Sequence, residues 1–241
     1  MKKYKVEVVE GDAQLLPGLK ISVNGETHEA DNVLLCTGSS PAKPPIPGID
    51  SEHVVDSTGI LNREILPERL IIVGGGVIGC EFACMYASVG VPVTVLEAMS
   101  EICPNLDKDI SAVLREELSK KGVQFKLETK VESIAPRSVS FADSEGSGSI
   151  EGDLVLVATG RKPNVSDLGL EDLGLDFDAR GVRVNDKGAT NVPGLWAAGD
   201  VTGEAWLAHA ASRMAEVVVN NLNGRPDHMR FDKMPAVVYT S

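Results

Sequence analysis

Short apolar runs, each closed by glycine or a charged residue, set the rhythm of this chain. Leu70-Ile71-Ile72-Val73 is one such run, and its unbroken apolar character predicts a strand buried on both faces of a parallel sheet. Gly74, Gly76 and Gly79 follow at once in G-x-G-x-x-G spacing, with Gly75, Val77 and Ile78 between them. A helix is predicted through Phe82, Ala83, Met85, Tyr86 and Val89, stopping at Gly90. Val93-Thr94-Val95-Leu96 reads as a second strand, ending at Glu97. Beyond it, Ile110, Val113, Leu114 and Leu118 predict the apolar face of a helix from Asp107 to Lys121, ended by Gly122. Strands are then expected at 123–127, 130–135 and 138–141, with a turn over 143–148. Asp153-Leu154-Val155-Leu156-Val157-Ala158 is another buried strand, running into Thr159-Gly160-Arg161. Asn32-Val33-Leu34-Leu35-Cys36-Thr37-Gly38-Ser39 repeats that design earlier in the chain.

The flanks read differently. Residues 1–35 look like short antiparallel strands around an Asn24-Gly25 turn, and Ser40 to Gly48 is a stiff, proline-rich connector. Near the other end, Val192 to Asp200 reads as a strand finishing in Gly-Asp, and a helix follows from about Ala208 to Leu222, closed by Asn223-Gly224.

The central pattern carries chemistry. Gly74 suits a tight turn, Gly76 lets a pyrophosphate approach the backbone, and Gly79 lets helix and strand pack closely. The helix N-terminus would present free N–H groups and a positive dipole end to phosphates. Glu97 lies 18 residues past Gly79, where a carboxylate would accept hydrogen bonds from an adenosine ribose. A structural glycine turn in some other α/β protein is the bland alternative. A carboxylate at Glu97 would repel the extra phosphate of NADP, and Ala98 to Pro104 contains a second acid and no Arg or Lys. NAD is therefore the expected nucleotide.

Bulk properties narrow the classes. A net charge of −12 without a Lys/Arg cluster argues against a nucleic-acid partner. The apolar runs are too short to span a membrane, and no apolar core follows the basic N-terminus, so a cytoplasmic setting is expected. Cys36, Cys80, Cys84 and Cys103 form neither a C-x-x-C pair nor a metal cluster, so no metal is expected. Cys80 and Cys84 share one helix face and read as buried small hydrophobes.

Taken together, these motifs resemble the FAD- and NAD-dependent disulfide oxidoreductases, and most closely their dihydrolipoamide dehydrogenase branch. The resemblance rests on Thr37-Gly38-Ser39, the glycine unit with Glu81 and Glu97, Thr159-Gly160-Arg161-Lys162-Pro163-Asn164, and Thr190-Asn191-Val192-Pro193-Gly194-Leu195. It rests also on Ala198-Gly199-Asp200-Val201, Leu207-Ala208-His209-Ala210, and Met234 to Ser241, which resembles the start of that family's dimer-interface domain.

What the resemblance implies is specific. It implies an α/β fold: a Rossmann-like NAD-binding domain with a parallel sheet and antiparallel meander, inserted in a partial FAD-binding domain. The limits would be 1–60 and 185–232 for the FAD part, 61–184 for the NAD part, and 233–241 for the interface segment. NAD would meet Gly74 to Gly79, Glu81 near the nicotinamide, Glu97, and Val131 and Gly160 on the adenine and nicotinamide sides. FAD would meet Thr37, Gly38, Ser39, Asp200, Leu207, Ala208 and His209, with the helix from Ala208 aimed at the flavin. Plain alternatives stay open: Asp200 as a turn N-cap, His209 as a buried core residue, Glu81 as a dipole-balancing acid. The resemblance also implies a dithiol or disulfide substrate, a homodimeric parent enzyme, and a place for it in a 2-oxoacid dehydrogenase or glycine cleavage complex. The family's first glycine loop, its C-x-x-x-x-C pair and its His-Glu pair have no counterpart in these residues. The expectation is an internal segment of an enzyme, with no catalytic residue of its own and no turnover alone.

Overall fold

The computed structural model describes residues 2–241, which pack as two compact units: 41–161 with 237–241, and 2–40 with 162–236.

The first unit is built on a five-stranded, all-parallel sheet. Its order is Val54–Val55, Leu154–Val157, Leu70–Val73, Val93–Leu96, Gln124–Lys126. The two central strands are buried at every residue, because side chains alternate between two covered faces. Leu70, Ile72, Leu154 and Leu156 face one core with Ile60, Cys80, Ala83, Tyr86 and Leu118. Ile71, Val73, Val155 and Val157 face the other, with Val131, Ile134 and Val139. Helices Val77–Ser88 and Lys108–Lys120 contribute to the first core. The second is covered by an antiparallel meander of Lys130–Ala135, Ser138–Asp143 and Gly146–Glu151. The expected turn at 143–148 shrinks to Ser144-Glu145, because Asp143 accepts the Glu145 N–H at 2.9 Å and pairing resumes at Gly146.

One helix face is corrected. Ile110 and Val113 are exposed, at 57% and 60%, while Ser111 and Leu118 are buried and Leu114 packs on the core. The buried stripe therefore runs through 111, 114 and 118. Ser111 can sit there because its hydroxyl donates to the Cys103 carbonyl at 3.2 Å.

In the second unit, Ala13–Leu16, Lys20–Val23 and Glu26–Glu29 form an antiparallel sheet. Its second turn is Asn24-Gly25, both with positive φ (54° and 84°), the geometry that matches strand twist in a two-residue hairpin. Val33–Leu35 departs from the antiparallel expectation for residues 1–35. It pairs in parallel with Leu195–Ala197, because Val33 and Leu35 bury themselves with Leu195 and Ala197 in one core. Helix Ala208–Leu222 has the expected limits and buries Ala210, Met214, Val217 and Val218.

Residues 41–61 supply an edge strand and Ile60 to the parallel-sheet unit. Residues 162–184 supply Leu170, Leu175 and Val182 to the core around Leu15 and Leu195.

Candidate functional site

The glycine loop joins strand Leu70–Val73 to helix Val77–Ser88. Gly74 has φ 106°, and a Cβ there would lie 2.5 Å from the Ala158 carbonyl oxygen, so only glycine permits the approach of these two strand ends. That approach brings Thr159-Gly160 alongside the loop. Gly79 is tighter still: its Cβ would sit 2.0 Å from the Gly74 oxygen. Gly76 behaves oppositely, since a Cβ there would meet no protein atom within 4 Å. It is the N-cap residue, and no side chain caps the helix or places an acid in its first turn. The first amides and the dipole thus face an open, uncapped space, which fits a pyrophosphate.

Glu97 ends the next strand and is 8% exposed. Its Oε2 accepts the Gly75 N–H at 2.6 Å and its Oε1 accepts the Met99 N–H at 2.8 Å. Two backbone donors thus offset the cost of burying the charge. A carboxylate has about four acceptor sites, so capacity remains for ribose hydroxyls.

Glu81 lies in the second turn of its helix, which removes the first-turn dipole reading. Its Oε1 accepts the Tyr239 N–H at 2.9 Å. Val131 is buried in the meander-side core. Gly160 has φ 123° with open space at its Cβ position, and its carbonyl accepts the Ala42 N–H at 2.9 Å.

Two features here escaped the sequence reading. Arg115 grips Glu101 with two hydrogen bonds, Nε to Oε1 at 2.8 Å and Nη2 to Oε2 at 3.0 Å. The Arg115 hydrogen bonds hold the Glu101 carboxyl below the ordinary carboxylate range. The other is a thiol pair. Cys80 and Cys84 are buried as expected, but Cys80 finds Cys103, with their sulfurs 3.8 Å apart and Cys80 Sγ 3.3 Å from the Gly75 oxygen. The contact with Cys103, reinforced by burial, pushes the Cys80 thiol far above its usual pKa. Only the fold brings residues so distant in sequence together.

The second unit gathers the other candidate residues. Thr37 Oγ1 donates to the Asn164 carbonyl and Asn164 Nδ2 donates to the Thr37 carbonyl, both at 2.8 Å. Gly38 between them has φ 68° and open space at its Cβ position. The Ser39 hydroxyl donates to Asp200 Oδ2 at 2.6 Å. Asp200 opens the short 3₁₀ turn Asp200–Thr202, whose N-cap is Gly199, so the carboxylate is engaged by a side chain rather than capping the turn. Helix Ala208–Leu222 starts after Leu207 with no side-chain cap. His209 is exposed, its Nε2 2.9 Å from the Pro235 oxygen, which excludes a buried core role. Among the described residues no cluster of three or more His, Cys, Asp or Glu could hold a metal, and no helix is long and apolar enough to cross a membrane.

A parallel sheet with helices on one face, a glycine loop at its strand ends and a buried acid beside that loop defines a Rossmann-like α/β protein. Residues 1–215 match the family model described as pyridine nucleotide-disulphide oxidoreductase, and the chain belongs to that family. Dihydrolipoyl dehydrogenase of Bacillus subtilis is 36% identical over 247 residues, covering all of this chain and 54% of that protein. The Manduca sexta enzyme of the same name is 37% identical over 257 residues, covering all of this chain and 51% of its own length. Among solved structures, LpdA from Mycobacterium tuberculosis superposes with a TM-score of 0.89 at 32% identity, over 99% of this chain and 55% of that one. The HOCl-induced flavoprotein disulfide reductase RclA from Escherichia coli gives 0.86 at 32% identity, over 96% of this chain and 54% of that one. The chain thus spans about half the length of these relatives.

Proposed function

We propose that this chain is the NAD-binding part of a flavin-dependent disulfide oxidoreductase of the dihydrolipoyl dehydrogenase type. The observation that carries the reading is the open, uncapped loop at Gly76 with the buried Glu97 carboxylate beside it. The amides of Val77, Ile78 and Gly79 would hold the pyrophosphate. Glu97 would hold the adenosine ribose and oppose a 2′-phosphate, favouring NAD. Glu81 and Gly160 would stand toward the nicotinamide, and Val131 supports the adenine side from the core. In the other unit, Thr37, Gly38, Ser39, Asp200 and the helix start at Leu207-Ala208-His209 would form one side of an FAD site. When bound, the two cofactors would supply the hydride chemistry linking a dithiol substrate to NAD, while this chain binds and orients them. Homodimerisation and membership of a 2-oxoacid dehydrogenase or glycine cleavage complex belong to the same proposal for the parent enzyme.

For the chain by itself we favour nucleotide binding without turnover. A second reading is an NADH-dependent flavin reductase of another branch of the family. Half a flavin site makes only part of the contacts yet still bears the entropic cost of fixing the ligand. The purified chain is therefore expected to be colourless and to bind NADH without oxidising dihydrolipoamide. Calorimetric titration with NADH and NADPH tests the central claim: Glu97→Ala should weaken NADH binding by about 1.5–3 kcal/mol and narrow the gap to NADPH. An unchanged ratio refutes the role of Glu97, and stoichiometric flavin or measurable turnover refutes the inactivity.

A further inference from the structure

The loop from Glu97 to Cys103 closes as an arc around one residue of the glycine loop. At one end Glu97 Oε2 accepts the Gly75 N–H, and at the other the Cys103 N–H donates to the Gly75 carbonyl at 2.9 Å. Ile102, fully buried, and Glu97 both press on Gly75, each with an atom within 3.2 Å of where its Cβ would be. Glu101 stands on this arc, next to Ile102, and its Oε1 also accepts the Ile102 N–H at 2.9 Å. Arg115 reaches the arc from helix Lys108–Lys120. A guanidinium near this acidic strand end is the usual means of accepting a 2′-phosphate. Here its fork is already filled by the two Glu101 oxygens.

We propose that Glu101 is a second specificity determinant: by engaging Arg115 it denies a cation to a 2′-phosphorylated dinucleotide. The inference rests on the reading of Glu97 and the glycine loop as an NAD site, and goes beyond it. Glu97 refuses the extra phosphate directly, whereas Glu101 keeps the Arg115 guanidinium from offsetting that repulsion. The arc and Arg115 together carry one net negative charge with Glu101 present, and none without it.

The test is direct titration of the chain with NADH and with NADPH. Glu101→Gln keeps the side-chain shape, removes the charge and releases the guanidinium. Its NADPH-to-NADH affinity ratio should rise about tenfold, as one charge-assisted contact is gained and one like charge removed. Adding Arg115→Ala should cancel that rise. A pair that merely braces the loop would weaken both nucleotides alike and leave the ratio where it was, which would overturn the inference. A rise that survives loss of Arg115 would overturn it too. If the unaltered chain binds NADH but Glu101→Gln leaves the ratio unmoved, only this inference falls. If the unaltered chain binds neither nucleotide, the NAD reading falls and takes the inference with it.

Discussion

Two strands of this molecule end in Thr-Gly, and they are held in place by different means. Leu154–Val157 lies between Val54–Val55 and Leu70–Val73, buried at every residue, and runs into Thr159-Gly160. Val33–Leu35 has one parallel partner, Leu195–Ala197, and runs through Cys36 into Thr37-Gly38. Both glycines have positive φ and open space where a side chain would go. In the first case the neighbouring loop is set by backbone packing, glycine against carbonyl, and by a buried acid bonded to two amides. In the second it is set by partly buried polar links, Thr37 with Asn164 and Ser39 with Asp200. A site built from packed backbone resists exchange of its parts. One tied by side chains can lose a link and stay folded.

The sharpest way to break this contrast is Gly79→Val. Its Cβ would sit 2.0 Å from the Gly74 oxygen. The parallel-sheet unit should lose about 3 kcal/mol or more, read as an early urea transition. A variant as stable as the parent would show that the loop is not set by packing. Next, Glu97→Ala leaves the Gly75 and Met99 amides without their acceptor, and should cost about 2–4 kcal/mol of stability, seen in the same melts.

On the other side of the comparison, the Ser39–Asp200 link should be worth about 1 kcal/mol in a double-mutant cycle of Ser39→Ala with Asp200→Asn. A coupling as large as the Glu97 loss would erase the distinction between the two regions. Gly76→Val sharpens it from within. A Cβ there meets no protein atom, so stability should change by less than about 1 kcal/mol while NADH binding is lost.

The smallest effect concerns pH. The Arg115 hydrogen bonds lower the Glu101 carboxyl below its ordinary 4.5. A carboxyl depressed in the folded state adds stability above its unfolded value and loses it as pH falls through the folded one. The parent should therefore lose more stability than Glu101→Gln as pH drops below about 4.5, by less than about 1 kcal/mol for a partly exposed pair. Identical profiles for the two proteins would remove the pair from the account.

Residue order alone determined the parts whose geometry is local. Asn24-Gly25 marks a hairpin because both residues tolerate positive φ, and the strand before the glycine loop follows from its unbroken apolar run. The limits of helix Ala208–Leu222 were legible, with its closing Asn-Gly, and the packing role of Gly79 from its spacing. Partners far apart along the chain were not legible. Val33–Leu35 turned from an antiparallel to a parallel arrangement once Leu195–Ala197 supplied its neighbour. The buried face of helix Lys108–Lys120 fell on Ser111 rather than Ile110, because a carbonyl at Cys103 was there to take its hydroxyl. Arg115 met Glu101 only through the docking of its helix, and no spacing rule announces that. Periodicity and backbone dihedrals are properties of neighbouring residues. Which distant group satisfies a buried donor or charge depends on how the elements pack, and only the tertiary structure decides it.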